Sequence, residues 1–107
     1  MTDRGLYGGL IHLHLLHHAA ARPIYGFWMI EELAGRGYTL SPGTLYPILH
    51  GLEKKGYLRC TERRLGHTAR RMYQITPTGR RALEDAKRKV FELFGEMFEG
   101  GGSSRVV

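Results

Sequence analysis

The chain has 107 residues, 42% of them hydrophobic and 24% charged, a balance that fits a single globular domain and excludes both a two-domain enzyme and a wholly disordered chain. Lys and Arg number 16 against 10 acids, a net charge of +6, which favours a polyanion such as nucleic acid as the partner. The lone cysteine, Cys60, excludes an internal disulfide and every multi-cysteine zinc motif, and it fits a reducing cytoplasm. No run nears the ~18 uninterrupted apolar residues of a membrane span. The apolar run at 6–16, broken by His12 and His14, makes a poor signal peptide, so the expected location is cytoplasmic.

Asp3 is placed to cap a first helix over about 4–19, in which Leu6, Leu10, Ile11, Leu13, Leu15 and Leu16 cover an arc too broad for a surface helix. Pro23 ends it by biasing Arg22 away from helical geometry. A second helix over about 24–35 presents Phe27, Ile30 and Leu33 together with Trp28, and Gly35 and Gly37 terminate it. Ser41-Pro42 sets a hydroxyl at the cap and proline at the first helical position, so a third helix is predicted over about 42–55, stopping at Gly56. Two strand-like runs follow, 57–64 and 70–76, around Leu65–Ala69, which predicts a hairpin with a longer connection. Thr76-Pro77 repeats the start signal and opens a last helix over about 77–99, and the Gly- and Ser-rich residues after it form a flexible tail.

Three helices followed by a basic hairpin are the order of a winged helix-turn-helix domain. The predicted fold class is therefore mainly α with a small β-hairpin. The winged helix-turn-helix spans 1–76, with its wing at about 57–76, a C-terminal dimerisation helix covers 77–99, and the tail 100–107. The charge is local. Residues 59–81 hold seven arginines (Arg59, Arg63, Arg64, Arg70, Arg71, Arg80, Arg81) against Glu62 alone, and arginine is the side chain whose planar fork best matches phosphate and guanine edges.

On the third helix, Leu45, Ile48, Leu49 and Leu52 share one apolar arc and form the core side. The opposite face carries Gly43, Pro47, His50, Gly51 and Lys54, with Thr44 and Tyr46 at its edges. That face is small at its N-terminal end, which permits close approach to DNA, and it offers a few varied donors and an aromatic edge. Backbone N–H groups at the Pro42-Gly43-Thr44 start face outward, where a phosphate can sit. Pro47 lies beyond the first turn and costs ~3 kcal/mol by removing a helix bond to the Gly43 carbonyl. Such a residue on an exposed face hints at a functional demand.

The string Leu40-Ser41-Pro42-Gly43-Thr44-Leu45-Tyr46-Pro47-Ile48-Leu49, with Leu52-Glu53 and Gly56-Tyr57-Leu58 after it, resembles the signature of PadR-like transcriptional regulators. Arg22 to Phe27, Arg70 to Thr76 and Thr78-Gly79-Arg80 are similar to its flanking patterns, so the resemblance covers about 5–98, and the single last helix is similar to the short subfamily. The resemblance implies a dimeric bacterial repressor whose third helix and wing bind an inverted repeat in double-stranded DNA and whose dimer senses small molecules. On this chain the DNA-binding residues would be Tyr25, Ser41, Gly43, Thr44, Tyr46, Pro47, His50, Lys54, Arg63, Arg64, His67, Arg70 and Arg71. Three places depart from the family: Tyr25 stands where His is common, Phe27 where Tyr is common, and His50-Gly51 where longer polar or basic residues are frequent. A hydroxyl contact from position 27 is thereby removed, and the operator sequence does not transfer from relatives.

Leu83, Val90 and Met97 recur every seven residues along the last helix, with Ala86 and Leu93 between them, and Phe91, Phe94 and Phe98 extend the seam. At ~1.5 Å per residue this helix is longer than one small domain needs. Its surplus apolar face asks for a second copy of the chain, which makes Leu6, Leu10, Leu13, Leu83, Ala86, Val90, Leu93, Phe94 and Met97 the expected homodimer interface.

Trp28, Phe91, Phe94 and Phe98 are the candidates for a planar aromatic effector, with core packing as their commoner fate. His14, His17 and His18 share one side of the first helix at spacings that can bring two imidazoles to one metal. No acid or cysteine lies beside them, so no metal or other cofactor is expected and a metal-responsive regulator stays an alternative. A second alternative is a winged-helix interaction module whose basic hairpin docks an acidic protein. Cys60 with His67 would be a thiol and its base, yet in the hairpin Cys60 faces inward beside Leu58. Neither a Gly-rich phosphate loop nor a Ser-His-Asp signature is present, so no enzyme is predicted.

Overall fold

The computed structural model describes residues 2–98, with the side chain of Leu65 excepted. The expected flexible tail at 100–107 and the predicted helix end at Glu99 lie outside the described residues. The first helix, α1 (Arg4–Ala21), starts where Asp3 Oδ1 accepts from the Leu6 N–H at 3.1 Å. It ends at Arg22, which is extended at φ −165° before Pro23. Its buried face is Ile11, Leu15, Leu16 and Ala19.

Ile24 and Tyr25 were expected to open the second helix; they form a short strand, β1 (Ile24–Tyr25). The reason is long-range: Ile24 pairs with Tyr73 and Tyr25 with Met72, and burial of Ile24 against the core outweighs a helical start. Helix α2 (Gly26–Ala34) follows at once and ends in a turn closed by Gly37 at φ +93°, where the Tyr38 N–H donates to the Leu33 carbonyl at 2.9 Å.

Helix α3 (Pro42–Lys54) runs through Pro47 without a break. Ser41 is extended at the cap, but its hydroxyl does not cap the helix: it donates to Thr44 Oγ1 at 3.4 Å, and no side chain accepts from the first turn. Leu45, Leu49 and Leu52 are buried and Ile48 is half-buried, so the predicted core arc stands. Each such leucine contributes about 1.5–3 kcal/mol relative to exposure.

The wing is a true hairpin of β2 (Leu58–Leu65) and β3 (Thr68–Ile75). Its connection is Gly66-His67 alone, shorter than predicted, because Leu65 still pairs with Thr68. Gly66 at φ +65° supplies the left-handed first turn position that such a tight link demands. With β1 the sheet has three antiparallel strands in the order β1-β3-β2. Helix α4 (Pro77–Phe98) is the last of the described elements.

The joint between sheet and α4 is tight. Thr76 donates its N–H to the Tyr57 carbonyl at 3.0 Å, its hydroxyl donates to the Gly56 carbonyl, and Thr76 Oγ1 accepts from the Gly79 N–H at 2.9 Å. A Cβ on Gly79 would lie 2.1 Å from the Tyr57 carbonyl oxygen. Arg80 also reaches the Ala20 carbonyl at the end of α1, at 3.2 Å. One core gathers α1, α2, α3, the sheet and Leu83 of α4. No helix among the described residues is long and apolar enough to cross a membrane.

Candidate nucleic-acid interface

Because Leu45, Leu49 and Leu52 turn inward, α3 presents Gly43, Pro47, His50, Gly51 and Lys54 to the outside. Two concavities flank this ridge. On the wing side a cleft of about 670 Å³ brings together Tyr25, Gly26, Phe27, Tyr46, His50, Glu62, Ala69, Arg70 and Arg71. On the other side a hollow of about 370 Å³ joins Gly43, Thr44, Pro47 and Gly51 to Arg4, His12 and Lys55. Thr44 and Tyr46 thus work from opposite flanks. Tyr46 is half-buried, its ring laid so closely on Gly26 that a Cβ there would be 2.5 Å from Oη.

Register divides the wing arginines between two sides. Arg63 faces Arg70 across the strands, whereas Arg64 faces Ala69 and Glu62 faces Arg71, on the side that also carries Leu58 and Tyr73. Arg71 Nη1 reaches His50 Nε2 at 3.5 Å, so the wing touches the exposed face of α3. Arg63, Arg64 and His67 stand toward the hairpin tip, outside that cleft, and Lys54 and Ser41 are exposed at the two ends of α3. Beneath Arg71, burial pushes the Tyr73 phenol up to about 12, with Cys60 adding to the rise and Arg71 opposing it. Cys60 is a free, half-buried thiol opposite Tyr73. Sequence reasoning did not assign Phe27 or Glu62 to this surface. Phe27 is 70% exposed at the cleft, and the signal for it was the family resemblance, which sets a tyrosine at this position.

On the far side of the chain, α1 and α4 enclose an apolar groove of about 640 Å³, walled by Leu10, Leu13, Leu83, Val90, Phe91 and Phe94 and rimmed by His14, His17 and Lys87. Of the expected dimer residues, Leu83 is used inside the chain's own core, and Leu13 packs against it. Leu6, Leu10, Val90, Leu93, Phe94 and Met97 are exposed, Leu6 by 68% and Met97 by 62%. The effector candidates are not gathered: Trp28 meets His18 edge-on at 5.7 Å, Phe94 pairs with Phe98 at 5.1 Å, and Trp28 lies outside the groove that Phe91 and Phe94 line.

The three histidines lie together, His14 stacked on His18 at 6.2 Å and His17 edge-on to His18 at 5.3 Å. Burial, Arg36 and His17 hold His14 below its ordinary value, and burial, His17 and Arg36 do so for His18 against an opposing pull from Glu32. Among the described residues, no group of three or more His, Cys, Asp and Glu is placed to hold a metal.

The profile of the transcriptional regulator PadR-like family matches residues 15–85, which includes α2, α3, the whole wing and the start of α4. The chain belongs to the PadR-like family. It is 47% identical over 90 residues, 84% of each chain, to "Transcriptional regulator Rv3488" of Mycobacterium tuberculosis. A PadR family regulator from Eggerthella lenta superposes with a TM-score of 0.76 at 28% identity, covering 83% of this chain and 79% of that one. The smu.1704 protein of Streptococcus mutans gives 0.72 at 26% identity over 92% and 91%. The PadR-like winged helix accounts for the four helices and three-stranded sheet, and the PadR-like chain is a transcriptional regulator and not an enzyme.

Proposed function

We propose that this PadR-like regulator is a homodimeric repressor that binds an inverted repeat in double-stranded DNA and is released by a planar aromatic small molecule. The observation that carries the reading is the joint wall of one cleft, in which the exposed flank of α3 and the arginines of the wing meet. A duplex lying over α3 with its backbone crossing toward the wing would bring the major groove to α3 and the adjacent phosphates to the arginines.

In this arrangement Thr44, Tyr46 and His50 reach base edges, and Gly43 and Pro47 allow α3 to approach closely. Ser41 and the first-turn N–H groups of α3, with Tyr25, Lys54, Arg63, Arg64, His67, Arg70 and Arg71, take phosphates. The exposed apolar faces of α1 and α4 are covered by the second copy, through Leu6, Leu10, Val90, Leu93, Phe94 and Met97, with Leu13, Leu83 and Ala86 beneath them. A twofold axis there repeats the DNA-binding face and so asks for a palindrome. Trp28, Phe91, Phe94 and Phe98 are the aromatic groups available to an effector that biases the dimer geometry.

The test is selection of bound fragments from genomic DNA with the purified chain, followed by titration of a selected duplex. The expected result is a shared inverted repeat bound at least 10³-fold more tightly than random DNA at physiological salt, on the order of known specific sites. Fragments with no common motif, or affinities that differ only with salt, would refute sequence-specific binding.

A further inference from the structure

Residues 59–81 carry seven arginines and one acid, Glu62. A lone carboxylate in such a segment opposes any polyanion, so its position matters. Glu62 stands directly opposite Arg71 in the β2–β3 register, and both line the cleft with Tyr46 and His50. Arg71 Nη1 lies 3.5 Å from His50 Nε2. A guanidinium has only donors, so the imidazole nitrogen that faces it offers a lone pair. Arg71 therefore has a carboxylate opposite it on the neighbouring strand and an acceptor beside it on α3.

The neighbouring arginine is placed quite differently. Arg70 is paired across the strands with Arg63, a like charge, on the other side of the sheet. Both arginines line the cleft, but Arg70 faces a like charge across the strands whereas Arg71 faces a carboxylate.

We infer that Glu62 and His50 hold Arg71 in reserve, which makes Glu62 a specificity-determining residue that suppresses binding to arbitrary DNA. The inference rests on the DNA-binding reading above. Random DNA offers Arg71 only a phosphate in exchange for the carboxylate it already faces, and that phosphate must approach Glu62. An operator that lets α3 seat fully draws His50 to a base edge, removes the acceptor from Arg71 and makes the transfer from Glu62 to phosphate favourable. Glu62 thus weakens the sequence-blind part of the affinity more than the sequence-specific part.

Removing one exposed carboxylate opposite an arginine should change affinity by at most about fivefold. Fluorescence anisotropy with a random duplex of about 30 base pairs, long enough for two half-sites, and with the selected operator duplex reads this directly. Glu62→Gln is expected to tighten the random duplex about fivefold and the operator less than twofold, and both gains should vanish in the Arg71→Ala background. Equal gains on both duplexes, or a gain that survives Arg71→Ala, overturn the inference, because Glu62 would then act only through the general field of the wing. Wild-type protein that binds neither duplex overturns the DNA-binding reading, and this inference with it, before any variant is compared.

Discussion

Gly26→Ala tests the contact that sets the Tyr46 ring between α2 and α3. An added Cβ would lie 2.5 Å from Oη, 2.6 Å from Cζ and 2.8 Å from Cε1 of Tyr46. All three are closer than carbon and oxygen atoms tolerate, so the half-buried ring has to leave its present position. Tyr46 must turn toward the cleft or α2 must lift, at an overpacking cost of ~1–3 kcal/mol. Replacing glycine in a helix returns at most ~1 kcal/mol through the unfolded chain. The net loss is therefore up to about 2 kcal/mol, or up to about 15 °C in Tm for a domain of this size. Thermal unfolding of the double-mutant cycle with Tyr46→Ala is the assay. With the ring gone, Gly26→Ala should become neutral or stabilising, giving a coupling of ~1–3 kcal/mol. If Gly26→Ala costs the same in both backgrounds, the Tyr46–Gly26 contact is not what fixes this geometry.

Val90→Glu or Leu93→Glu puts charge on the exposed face of α4 and should abolish the dimer and operator binding together; a wild-type monomer at micromolar concentration in sedimentation would refute the dimer. Arg70→Ala should weaken operator and random duplex alike and lower the salt slope by about one unit, whereas Tyr46→Ala should remove ~1–3 kcal/mol from operator binding alone. Equal losses on both duplexes for both variants would mean that α3 is not the reader. His14 and His18 have folded values below the ordinary 6.5, so the unfolded chain takes up protons first. Stability should be fully present above pH ~6.5 and fall as the pH drops from there through the lower folded values. Urea titrations of His18→Phe that keep the wild-type acid slope would contradict this. A planar aromatic effector should quench Trp28 fluorescence and shift operator affinity; a broad panel that leaves the affinity unchanged would mark a constitutive binder.

Much of this architecture was legible because its signals are local. Asp3 and the Thr76-Pro77 pair announce helix starts through side chains that in the structure do accept the first-turn N–H groups. Ser41-Pro42 placed α3 just as well, although the serine hydroxyl turned elsewhere, since proline at the first position suffices to direct the backbone. Strand β1 escaped notice because two residues cannot carry an alternation; only their partners Tyr73 and Met72, some fifty residues on, make them a strand. The hairpin link was overestimated because arginines occupy both sides of the exposed wing and erase the period that marks strand ends. The same ambiguity hid which arginine meets α3. A one-residue change of register would have exchanged Arg70 for Arg71 beside His50.

The clamp at Thr76 and Gly79 has a mechanical consequence. It fastens the root of α4 to the end of α3 and the base of the wing at once, so a tilt of α4 about this joint would be passed to the wing. Helix α4 has 22 residues, an arm of ~33 Å at ~1.5 Å per residue. A sideways shift of ~3 Å at its far end corresponds to roughly 5° at the pivot. The wing strands, of eight residues each, reach ~27 Å from the same pivot. Their tip would sweep ~2 Å, more than half the ~3.4 Å rise between base pairs. In the proposed DNA complex, a displacement the size of one methyl group or two in the apolar groove between α1 and α4 would thus be geared to a misfit of the wing on the phosphates.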